Sequence, residues 1–95
     1  MQFEWDEEKE KSNIEKHGID FRTAALVFGD SRRIEKYDVL HSIYEDRYIT
    51  IGLINGTAVV VMVVHTERNY TVRIISARLA TEREKEAYYH GENEY

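Results

Sequence analysis

The chain has 95 residues, no cysteine, no proline and a formal net charge of −5, a size that carries one core but no closed internal cavity. Without cysteine it has no disulfide framework and no thiolate metal site. Its longest apolar run, 58–64, is far too short for a membrane span, and its acidic, polar start is unlike a secretory signal; the expectation is a single domain over 1–95 in the cytoplasm.

The charge is unevenly spread. Residues 1–46 carry −5, residues 47–80 carry +3 and residues 81–95 carry −3. Only the middle block would welcome a phosphate polymer. Overall acidity argues against strong non-specific nucleic-acid binding, and leaves room for a local site or a basic protein partner.

In chain order, Phe3 and Trp5 alternate with polar neighbours and form a short strand or anchor. Asp6 is a good N-cap, Glu7 and Glu8 suit a first turn, Lys16 and His17 a last turn, and Gly18 a stop, so a very polar helix is expected over 7–17. Asp20 caps a second helix over 21–28, whose Phe21, Ala24, Ala25 and Phe28 make one core-facing stripe. Residues 32–37 read as a short or edge strand. Residues 38–46 resist assignment, with Leu40 and Ile43 expected to tuck inward.

The sheet follows. Residues 47–54 alternate as a strand, and Asn55-Gly56 is the strongest hairpin signal in the chain, a type I′ turn. Residues 57–66 include AVVVMVV, apolar on both phases, which places this strand centrally with both faces covered. Residues 67–70 turn into a strand over 71–77. Thr81-Glu-Arg-Glu84 is a capping box opening a C-terminal helix.

Register then yields a geometric expectation. A two-residue loop at 55–56 pairs Arg47 with Val64, and a four-residue loop at 67–70 pairs Val64 with Arg73. Arg47 and Arg73 thus flank Val64 on one face, Glu45 shares their phase, and Tyr48 and His65 point to the other face. A one-residue slip in either loop would reverse part of this arrangement.

At this point the residues carry a resemblance. The opening FEWDEEKEKSNIEKHGIDFRTAALVFGD, the middle EDRYITIG and the closing VVHTERNYTVRIISARLATEREKEAYY resemble the BrnT family, toxins of type II toxin–antitoxin pairs. The order and spacing of W-D-x-x-K, K-H-G, E-x-R-x-x-x-x-G and R-I-I-S-A-R carry the likeness over almost the whole chain. It implies an α+β, RelE-like fold with two N-terminal helices, an antiparallel sheet of about four strands and a C-terminal helix. It also implies a ribonuclease that cleaves RNA and arrests growth. A BrnA-type antitoxin with a ribbon-helix-helix domain would neutralise it, and operator DNA would be bound only through the pair, which represses its own promoter. RelE-like toxins are usually basic, and this chain is acidic.

Metal-free RNA cleavage by attack of a 2′-hydroxyl needs a base, cations for the phosphorane and an acid for the 5′-oxygen. Arg47 and Arg73 are the expected phosphate clamps, Arg78 a third, and Glu45 the candidate base; Arg68 and His65 are candidates for substrate binding. Each arginine also has an ordinary reading as a partner of the chain's many carboxylates, and Arg68 as plain surface. His41 falls in the unassigned stretch and could reach a cleft. The four histidines show no metal-ligand spacing, and no metal or cofactor is expected. An alternative from another class is a non-catalytic module that binds a DNA-binding partner and sets its DNA affinity, since an arginine cluster serves acidic side chains as well as phosphate.

Overall fold

The computed structural model describes residues 1–91; the last four of the expected domain, 92–95, lie outside the described residues. Five strands form one mixed sheet: β1 (Gln2–Trp5), β2 (Ile34–Tyr37), β3 (Tyr48–Leu53), β4 (Val60–Arg68) and β5 (Thr71–Leu79), in the order β1-β5-β4-β3-β2. The α+β class is as expected. The sheet has five strands rather than about four, and it is not wholly antiparallel, because β1 runs parallel to β5, with Phe3 opposite Val72 and Trp5 opposite Ile74. The chain returns from β1 to the sheet through helices, which permits a parallel pairing that no hairpin could make.

The expected caps set the helices. Asp6 accepts from the Glu8 and Lys9 amides at 2.8 and 3.0 Å, opening α1 (Glu7–His17), and Gly18 closes it at φ 70°. Asp20 caps α2 (Phe21–Ala24) through the Thr23 amide and hydroxyl, but regular helix ends there, and 25–29 continue as a 3₁₀ turn. Thr81 and Glu84 make the expected capping box of α3 (Glu82–His90).

The sheet divides the interior into two cores. On one face Phe21, Ala24, Val27 and Phe28 pack on Val61, Val63, Val72, Ile74 and Ala77. Gly52 of β3 permits this close approach: a Cβ there would lie 3.0 Å from Val27 Cβ and 3.1 Å from its carbonyl oxygen. On the other face Ala80, Ala87 and Tyr88 of the α3 region pack on Ile34, Ile51, Val60 and Met62. So β4 is central and covered on both faces, as its doubly apolar pattern requires. Helix α1 lies along the β5 edge beyond the end of β1. There buried Asn13 copies a strand partner, donating to Ala77 O at 2.9 Å and accepting from Ala77 N at 3.0 Å.

Both hairpins differ from expectation. The β3–β4 loop spans 55–58, because Ile54 N donates to Val59 O, and only Gly56 there has positive φ. The Thr57 hydroxyl and amide both donate to Ile54 O, closing a wider turn. The tight turn is Asn69-Tyr70, with φ 50° and 66° and Arg68 paired to Thr71, the double left-handed signature of type I′. The β3–β4 register is therefore displaced by two residues, and so is the β4–β5 register from its turn as far as His65–Ile74, beyond which a bulge adds one more. A two-residue displacement keeps every side chain on its face, so Arg47 and Arg73 still share a face. The residue between them is Thr66 rather than Val64: Arg73 pairs with Thr66, and the β3–β4 ladder continued one step puts Arg47 there too.

Candidate active site

Helix α3 covers only part of its sheet face. The remainder is a cleft of about 660 Å³ floored by Ile49, Met62 and Val64, with Tyr37–His41 along one wall and Arg47, Ser76 and Arg78 around it. Its position follows from the sequence: a short helix, closed at Gly91, cannot roof nine-residue strands.

Arg47 enters the cleft from the residue just before β3. Ser42 fixes the loop beneath it: its hydroxyl donates to Asp38 O at 2.6 Å and accepts from Arg47 N at 2.9 Å, while Asp38 N donates to Arg47 O at 2.8 Å. The Arg47 Nε is buried and has no hydrogen-bond acceptor; its nearest carboxylate oxygen, on Glu45, is 3.9 Å away. A buried guanidinium N–H without an acceptor is costly; Nε itself is sealed from solvent, and it is the exposed part of the half-buried Arg47 side chain that faces the open cleft, where a guanidinium can take a phosphate oxygen.

Next to it sits a chain of ion pairs. Glu45 accepts from Arg68 at 2.6 Å, and Arg73 donates to Glu4 of β1 at 2.5 Å. The hydrogen bond from Arg68, with smaller contributions from Arg47 and Arg73, holds the Glu45 carboxyl below the usual range. A carboxylate so held is a poor proton acceptor. Arg78 grips Glu84 with both Nη atoms, at 2.7 and 3.0 Å, while Glu84 also caps α3. Burial pushes Glu84 upward, but the bonds from Arg78 and Thr81 outweigh it and hold it low.

The expected residues are thus only partly gathered. Arg47 and Arg78 line the cleft, while Glu45 and Arg68 form one ion pair and Arg73 another with Glu4, near enough for Arg73 to act on the Glu45 charge. His65 is excluded from substrate contact. It is 1% exposed on the opposite, helix-covered face, with Nε2 2.7 Å from Thr50 Oγ1 and Phe28 edge-on at 4.9 Å. Burial lowers its pKa to about 4, so it is neutral at physiological pH.

The residues that sequence reasoning did not assemble are Asp38 and His41, on the wall of the cleft. His41 Nδ1 lies 2.9 Å from Asp38 Oδ2; Asp38 is buried and His41 exposed. The signal was the D-x-x-H spacing in a stretch that folds as a 3₁₀ turn over Val39–His41, which brings residues three apart onto one side. The same stretch exposes Val39, Leu40, Ile43 and Tyr44, the last at 99%, rather than tucking Leu40 and Ile43 inward. Among the described residues no group of three His, Asp or Glu side chains is placed to hold a metal ion, and no helix is long and apolar enough to cross a membrane.

A half-buried arginine at a cleft, two further arginines nearby and a carboxylate-oriented imidazole can hold a phosphodiester and move a proton beside it. The family model described as "Ribonuclease toxin, BrnT, of type II toxin-antitoxin system" matches residues 5–84. The crystal structure of the Brucella abortus ribonuclease toxin BrnT is similar at 28% identity, with a TM-score of 0.62 over 86% of this chain and 99% of that one. No curated protein matches by sequence. Membership of a type II system implies an antitoxin partner and an RNA substrate. The chain belongs to the BrnT family of ribonuclease toxins.

Proposed function

We propose that this chain is a metal-independent endoribonuclease with a RelE-like domain over 1–95. It acts in the cytoplasm, where it cleaves RNA and arrests growth. The observation that carries this reading is the half-buried Arg47 side chain lining the same cleft as the His41–Asp38 pair. Arg47 and Arg73 bind the scissile phosphate and Arg78 supports it at the strand exit; Arg68 steers the strand. The 2′-hydroxyl attacks the adjacent phosphorus and the bond to the 5′-oxygen breaks. This leaves a 2′,3′-cyclic phosphate and a 5′-hydroxyl. His41, oriented by Asp38, carries the proton that moves in this step. Glu45 holds Arg47 and Arg68 in position, a role its depressed pKa suits better than that of base.

A partner of ribbon-helix-helix type, similar to BrnA, neutralises the enzyme, and the pair represses its own operon by binding operator DNA. The exposed Val39, Leu40, Ile43 and Tyr44 beside the cleft favour a protein partner there, because contiguous exposed apolar surface marks such contacts. The same patch supports the second reading, in which binding this partner is the chain's only role.

The decisive experiment is RNA cleavage by the purified chain in excess chelator, with product ends identified. Cleavage giving cyclic phosphate ends, and lost on Arg47→Ala, is expected. Activity that requires added magnesium would overturn the mechanism, and no cleavage by folded protein would leave the interaction-module reading.

A further inference from the structure

Helix α1 breaks the usual pattern of a helix laid on a sheet. Lys9, Ser12, Asn13, Lys16 and His17 recur at helical spacing on one face, and that face borders β5. Of these only Asn13 is buried, and the other four stand exposed around it. Asn13 accounts for itself by its two bonds to Ala77. The lysines do not: Arg33, Arg68, Arg73, Arg78 and Lys85 each meet a carboxylate, whereas Lys9 and Lys16 make no side-chain ion pair among the described residues. Two uncommitted ammonium groups in a chain of charge −5 stand over an open groove of about 280 Å³ between α1 and β5.

That groove adjoins the cleft. Ile75 and Ser76 of β5 border both hollows. They do so because β1 pairs with β5 only as far as Ile74, and because the β4–β5 ladder is irregular here, stepping from Val64–Ser76 to His65–Ile74 past Ile75. Such a bulge bends a strand and re-aims its side chains. The edge of β5 at Ile75–Ser76 is thus a low rim between the arginine cleft and the lysine groove, with Asn13 fixing how far α1 stands from it.

We propose that this groove is a second binding site for the substrate, taking the sugar-phosphate backbone of single-stranded RNA that flanks the scissile phosphate. The strand leaves the cleft over Ser76, and Lys9 and Lys16 neutralise phosphates on the far side. This rests on the ribonuclease reading above. It makes the acidic chain a selective binder: Lys9 and Lys16 beside the arginine cleft hold RNA by position rather than by net charge.

The test pairs two measurements. Wild-type cleavage of RNA in chelator examines the ribonuclease reading alone. Binding of an uncleavable 2′-O-methyl oligonucleotide of roughly ten nucleotides across a salt series examines the groove, using wild type and Lys9→Gln/Lys16→Gln. Both lysines are exposed on a capped helix, and glutamine is a good helix former, so the variant should fold; circular dichroism checks it. Removing two phosphate contacts should reduce the slope of log Kd against log salt by about 1.4, from about 0.7 per contact on a single strand. Lys9→Arg/Lys16→Arg should restore the wild-type slope. Equal slopes for wild type and the glutamine variant, with wild type cleaving RNA, would overturn the groove and leave the enzyme standing. A wild type that neither cleaves nor binds RNA would overturn both. A glutamine variant that loses only affinity for a protein partner would show the groove to be a protein contact instead.

Discussion

His41 Nδ1 is 2.9 Å from Asp38 Oδ2, and only the histidine faces solvent. A buried carboxylate beside an exposed imidazole fixes the ring and its tautomer, leaving Nε2 for chemistry. His41→Asn should therefore lower cleavage by about 10²–10⁴, as loss of a proton-transfer group does, with the fold intact by circular dichroism. Asp38→Asn should keep RNA binding and reduce turnover. A folded His41→Asn enzyme of full activity would remove this pair from the mechanism.

The arginines should separate by readout. Arg47→Ala should lose about 10²–10³ in rate, the usual effect of deleting one preorganised donor, at unchanged stability. Arg47→Lys should recover only part, since an ammonium lacks the guanidinium fork. Arg78→Ala instead leaves the buried, α3-capping Glu84 without its fork. It should cost about 1–3 kcal/mol in urea unfolding. Equal stability losses in both variants would contradict this division.

Stability should fall in mild acid because of His65. Burial lowers its folded pKa to about 4, against about 6.5 in an unfolded chain. Between these values the unfolded chain binds the extra proton, so stability is complete above about pH 6.5 and declines as pH drops toward 4. The full effect is up to about 3 kcal/mol, since each tenfold difference in proton affinity is worth about 1.4 kcal/mol. Asp20, Asp30, Glu45 and Glu84, all with lowered pKa, add acid sensitivity at lower pH. The comparison is therefore with His65→Gln, whose urea midpoint should change less over this window. Parallel pH profiles for the two proteins would show that His65 is not responsible.

Gly52→Ala should destabilise by about 1–3 kcal/mol through overpacking. The new Cβ meets the backbone and Cβ of Val27, at 3.1 and 3.0 Å, and Arg33 Cβ at 3.3 Å, and the Val27 backbone cannot swing aside. Gly29→Ala, where nothing lies within 4 Å, is the matched control in thermal unfolding.

Much of this was legible in the chain. Helix caps at Asp6, Asp20 and Thr81 are local chemistry, and the doubly apolar run in β4 announces a central strand. The hairpins were not legible in the same way. Asn55-Gly56 has the stronger turn propensity, yet the Thr57 hydroxyl captures Ile54 O and widens that loop, while Asn69-Tyr70 takes the tight turn under the demands of the ladder. The sidedness of Arg47 and Arg73 survived because both displacements are even at their positions, before the bulge past His65. The parallel pairing of β1 depends on contacts nearly seventy residues apart, and His41–Asp38 depends on a 3₁₀ turn in a stretch without periodicity. The first has no local signature, and the second only the D-x-x-H spacing.

The parallel pairing also sets an order of events. Gln2 meets Thr71 and Glu4 meets Arg73, so among the described residues these contacts close the longest loop and carry the largest entropic cost. The β3–β4–β5 meander joins neighbours in sequence and is expected to form first. On this order, β1 and the Arg73–Glu4 pair arrive last, and a nascent chain has an incomplete arginine cluster until β5 has left the ribosome. Truncating the β1 side chains, as in Phe3→Ala, should then accelerate unfolding while leaving the refolding rate nearly unchanged, a separation that stopped-flow measurements in urea resolve directly.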